Sequence, residues 1–137
     1  MKEHAMNPNQ WAATLRYTEK EKLEDRVAVV VEYLAKHYPF SQWVISDIDA
    51  TGRHGGSLTR RLNNEGSLCL SSAKLLDILR EDGQVIDLDA ALVKDDREFF
   101  RILVRDGVSV DTLGTGNPLP SSALGNYDEV KADLFLW

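Results

Sequence analysis
Asp106-Gly107 sits between two runs of alternating apolar residues. Upstream, Phe100, Ile102 and Val104 alternate with Arg101 and Leu103; downstream, Val108 and Val110 alternate. A two-residue hairpin turn needs positive φ at both central positions, and Asp-Gly meets that need at little steric cost. The pattern therefore predicts a β-hairpin. A helix from Asp96, capped by Asp95 with Glu98 at its third position and stopped by Gly107, competes with it. The alternation favours the hairpin. Gln84 to Leu88 reads as a further strand, and Val130 to Trp137 as a last one. Leu113 to Ser122, with Gly114, Gly116, Pro118 and Pro120, reads as a loop.

The first part of the chain has a different period. Met1 to Gln10 is polar, and Trp11 to Tyr17 reads as a short helix. Thr18 and Glu21 have capping-box spacing, and Leu23, Val27, Val30, Val31, Leu34 and Tyr38 follow at helical spacing up to Pro39. Ser41 opens a second short helix with Trp43, Val44, Ile45 and Ile48 on its apolar side. Ser57 opens a third, with Leu58 and Leu62 on one face. Ser71 or Ser72 opens a fourth, with Ala73, Leu75, Leu76 and Leu79 inward and Gly83 as its stop. The expected fold class is α+β: a flexible segment 1–17, a helical domain 18–83, and a small β-rich part 84–137 with a hairpin.

Charge is unevenly placed. The 137 residues carry a formal net charge of −6. Residues 1–40 balance, whereas residues 84–137 hold five basic against ten acidic groups. From Gly52 to Asn64 there are three arginines and no acid, and such a local island matters more for phosphate contacts than the total. Cys69 is the single cysteine, so no intrachain disulfide or cysteine-based zinc site can form. Leu68 and Leu70 beside it suggest a small core residue. The longest strongly apolar run, Val27 to Val31, is too short to span a bilayer. A cytoplasmic protein with no membrane contact and no cofactor is expected.

Residues 41–83 resemble the helix-turn-helix of the lambda-repressor/Cro-like family of DNA-binding domains. Ser41-Gln42 stand at the opening, Ile45-Ser46 in the aliphatic-small pair, and Ser57-Leu58 at the start of the recognition helix. Leu62-Asn63-Asn64-Glu65-Gly66 match the exit turn, and Leu70 to Leu76 the next helix. The connection Thr51 to Gly56 is about two residues longer than that family's turn. Asp47 and Asp49 lie on the scaffold helix, where they would repel phosphates. The resemblance implies a sequence-specific transcriptional regulator that binds double-stranded DNA, commonly as a homodimer. Ser57, Thr59 and the helix N-terminus would hold phosphates. Arg60 or Arg61 would read guanine, Asn63 or Asn64 adenine, and Arg53 and His54 would lie near the backbone.

A second function class fits the charge distribution. The chain can be an acidic interaction module, such as an inhibitor or immunity-type protein of a phage or mobile element. The carboxylates of residues 87–111 and 128–133 would then meet a basic protein partner. An enzyme is not expected. His4, His37 and His54 show no metal spacing, and the pairs Asp87/Asp89 and Asp95/Asp96 have no visible catalytic setting. The glycine-rich loop before Ser57 lacks the P-loop and Rossmann spacings.

Overall fold
A computed structural model describes residues 10–51, 55–81, 84–116 and 119–131. Among these residues seven strands form one sheet: β1 (Gln10–Leu15), β2 (Gln42–Ala50), β3 (Leu68–Leu70), β4 (Val85–Lys94), β5 (Arg97–Arg105), β6 (Ser109–Thr115) and β7 (Tyr127–Val130). Their order is β3-β2-β4-β5-β6-β1-β7, with every neighbouring pair antiparallel. The helices among the described residues are α1 (Leu23–His37), α2 (Gly55–Glu65), α3 (Ser72–Arg80) and α4 (Ser121–Leu124).

The expected division into a helical, helix-turn-helix-like first half and a small β-rich second part is overturned. Strands drawn from 10–50 and from 85–130 share the one sheet. Two stretches read as helices are strands. In β2, Trp43 and Ile45 alternate, but the register against β4 shifts between Ile45 and Asp47. That irregularity returns Ile48 to the inner face three residues after Ile45, a spacing that imitates a helix. In β1, Trp11, Ala13 and Leu15 alternate inward, while two adjacent alanines raise local helix propensity. Pairing with both β6 and β7 decides for the strand. Part of the loop read over Leu113 to Ser122 belongs to β6 and α4. The strand expected over Val130 to Trp137 falls almost wholly on residues 132–137, which lie outside the described ones, and β7 precedes it at Tyr127–Val130.

Both hairpin turns have clear causes. Asp106 (φ 56°) and Gly107 (φ 66°) lie left-handed between β5 and β6, as the Asp-Gly pair predicts. The Arg105 carbonyl accepts the Val108 N–H at 3.0 Å, closing the turn. Asp95 (φ 53°) and Asp96 (φ 62°) make the matching turn between β4 and β5, with Lys94 paired to Arg97. Aspartate tolerates this backbone region better than most residues.

All four helices send apolar side chains into one core on a single side of the sheet. Val27, Val30, Val31 and Leu34 of α1, Leu58 and Leu62 of α2, Leu75 and Leu79 of α3 and Leu124 of α4 share it with the sheet's Trp43, Ile45, Leu92 and Ile102. Trp43 is fully buried, and its Nε1 donates to Ser72 Oγ at 3.0 Å. Ser71 caps α3 by accepting the Lys74 N–H. The Thr18–Glu21 pair forms one turn before α1, where Glu21 Oε1 accepts the Thr18 N–H. The buried Arg26 guanidinium of α1 donates to the carbonyls of Arg16, Leu124 and Asn126 and so ties α4 to the helical layer. Among the described residues no helix is long and apolar enough to cross a membrane.

Candidate functional site
The helix carrying the expected reading residues forms, but its scaffold does not. In α2, Leu58 and Leu62 face the core, while Ser57, Arg60, Arg61, Asn63 and Asn64 are exposed. Ser57 lies inside the helix rather than at its cap. Thr59 is half-buried, with its hydroxyl directed to the Ile48 carbonyl at 3.5 Å. Arg61 pairs with Glu65 at 3.5 Å, one turn along. The segment before α2, which a helix-turn-helix needs as its first helix, is the strand β2. Arg53 and His54 lie outside the described residues.

The opposite side of the sheet has a more ordered chemical pattern. Inward residues of β2, β4, β5 and β6 are apolar apart from the buried Thr112, so the intervening ones point to the face without helices. One cross-strand row on that face runs Asp47, Asp89, Leu103, Asp111, Thr14, Asp128, each opposite the next. It crosses six strands, about 24 Å at ~4.8 Å per strand. A neighbouring position places Asp49 opposite Asp87. The row on the other side reads Cys69, Val44, Ala91, Arg101, Leu113, Ala12, Val130. There Ala12 and Leu113 form a small second cluster with Leu103 and Val130.

Countercharge on this face comes from Arg101 and the exposed Arg105 of β5 and from Arg16. Arg101 donates to Asp89 at 3.0 and 3.3 Å and to Glu98 at 2.6 and 3.1 Å. Hydrogen bonding to Glu98, outweighing partial burial and aided by the Asp89 charge, raises the Arg101 pKa. Asp128 is held by Arg16, whose side-chain hydrogen bonds lower the carboxyl below its ordinary value. Asp111 accepts the Thr14 hydroxyl at 2.5 Å, and Asp87 the Asp106 N–H at 3.1 Å. Asp47 and Asp49 are exposed, and no ion pair to either is found among the described residues. Aspartate therefore stands directly opposite aspartate twice, an arrangement that costs rather than contributes stability. Among the described residues no three His, Cys, Asp or Glu side chains converge as metal ligands.

Sequence reasoning placed Asp87, Asp89, Asp111 and Asp128 in the acidic part of the chain but missed Asp47 and Asp49 as their neighbours. The i, i+2 spacing of Asp47 and Asp49, repeated in Asp87 and Asp89, is the signal that would have paired them on strands. Cys69, expected in the core, is exposed on the edge strand β3, where its Sγ donates to Gln42 Oε1 at 2.7 Å. Comparisons with protein-family models, with curated proteins and with solved structures gave no match.

Proposed function
We propose that this chain is an acidic protein–protein interaction module that docks a basic protein against the helix-free face of its sheet, as an inhibitor or immunity-type protein does. The observation that carries the proposal is the aspartate row, with Asp47 opposite Asp89 and Asp49 opposite Asp87. Such like-charge pairs weaken a sheet, and a cationic partner would relieve them. A rigid antiparallel sheet also fixes the spacing of the carboxylates, which favours selective docking over diffuse attraction. DNA binding through α2 is the weaker proposal. The strand β2 removes the scaffold helix, and Arg61 pairs with Glu65 within α2.

The test is capture on the immobilised full chain, scored for protein and DNA together, beside an Asp47→Asn/Asp49→Asn variant. A basic protein that wild type retains, salt releases and the variant loses supports docking on this face. Equal retention by the variant overturns it. So does a salt-sensitive mobility shift of DNA that Arg60→Ala and Arg61→Ala abolish.

A further inference from the structure
At one end of the sheet, a cleft of about 500 Å³ opens between the start of α1, the start of β4 and the β5–β6 turn. Glu21, Glu24 and Asp106 line it; among the described residues Lys22 is the one cationic residue on its wall, and Arg26 Nε lies 4.0 Å from Glu21 Oε2. Glu24 is 8% exposed. Its Oε2 accepts the Val85 N–H at 2.9 Å, the one hydrogen bond Glu24 makes among the described residues. No partner of its Oε1 is found among the described residues, and that atom is not among the sealed, unsatisfied ones, so it keeps access to solvent in the cleft that Glu24 lines. A carboxylate this deep with one free oxygen is costly unless a cation or water completes it.

The surroundings select the kind of cation. Among the described residues the carboxylates do not converge as metal ligands. Tyr17 forms a wall fixed in place by its hydroxyl, which donates to the Val108 carbonyl at 2.6 Å. An aromatic wall suits a planar guanidinium, which stacks while it donates to carboxylates. Ile86 adds apolar surface for an alkyl stem. Glu21 stands at the rim with Oε1 bound to the Thr18 N–H. Asp106 is held at the lip by its N–H bond to Asp87 and by its left-handed turn.

We infer that this cleft binds a guanidinium group on an aliphatic stem, with Glu24 Oε1 as its buried acceptor and Tyr17 as its stacking wall. The site is independent of the basic-partner proposal, since the group can come from a small molecule or from a protein's arginine.

Two probes distinguish these sources: agmatine, and the blocked tripeptide acetyl-Gly-Arg-Gly-amide, each titrated into the full chain. Amide resonances of Val85, Ile86 and Gly107 report binding. Saturable shifts there, weakened about tenfold by Glu24→Gln, are expected, because the amide keeps the Val85 bond but loses the charge. Tighter binding of the tripeptide assigns the site to a partner's side chain, and tighter binding of agmatine to a small molecule. Linear, unsaturable shifts with both probes overturn the inference. So does equal affinity in Glu24→Gln or, if that variant fails to fold, in Glu21→Gln.

Discussion

Neutralising Asp49 is expected to stabilise the fold while weakening the docking face. Asp49 lies directly opposite Asp87. Directly opposed Cβ atoms are about 5 Å apart. Two unit charges at that distance in water-like surroundings repel by about 0.8 kcal/mol. At physiological salt, with a screening length of about 8 Å, roughly half of that remains. The Asp47–Asp89 pair contributes less, because Arg101 already sits on Asp89. Asp49→Asn should therefore gain about 0.4 kcal/mol at 0.15 M salt and about 0.7 kcal/mol at low ionic strength, and Asp47→Asn a smaller increment. Urea unfolding of wild type and variant at low and high salt measures both gains. A variant less stable than wild type at low salt, or a gain that salt does not reduce, would refute the repulsion argument.

Other substitutions test the framework around that face. A Cβ at Gly114 would lie 2.5 Å from the Trp11 indole, so Gly114→Ala should cost about 1–3 kcal/mol, read from denaturant unfolding. Arg26→Met should cost about 2–4 kcal/mol by the same measurement, since three carbonyls lose a charged donor while the stem's packing is largely kept. Ser71→Ala removes the cap of α3 and should cost about 1 kcal/mol, with faster amide exchange at Lys74. Arg16→Gln should let the Asp128 carboxyl rise toward its ordinary pKa in an NMR titration. Because that pKa is lowered in the folded chain, its stabilising contribution is present above the ordinary carboxylate range. It is lost as pH falls through the folded value, and the variant should lack that loss.

Legibility in the sequence followed the local chemistry. The β5–β6 hairpin was readable because Asp106-Gly107 encodes its own turn, and α1 because its apolar residues keep one period over 15 residues. The Ser71 cap was readable for the same reason. What failed was whatever depends on distant partners. Gln42–Ala50 contains a register shift that imitates helical spacing, and only pairing with β3 and β4 makes it a strand. Trp11 to Leu15 carries helix-favouring alanines and becomes a strand through β6 and β7. The acidic face was half legible. Its carboxylates on β4, β6 and β7 fell in the acidic part of the chain, whereas Asp47 and Asp49 were read as faults in a DNA-binding helix. Opposite Asp87 and Asp89, they are part of the face itself.

The position of β1 between β6 and β7 also sets an order of events during synthesis. β1 leaves the ribosome early, but its neighbours in the sheet come late: Thr14 and Asp111 are 97 residues apart. At about 5–20 residues per second, that strand waits roughly 5–20 s for a partner. Until β6 arrives, both edges of β1 are open and its apolar residues lack the sheet that buries them. Among the described strands the last pairing made is thus that of β1 with β7, and a ribosome-stalled chain released before β7 would be the form most prone to aggregate.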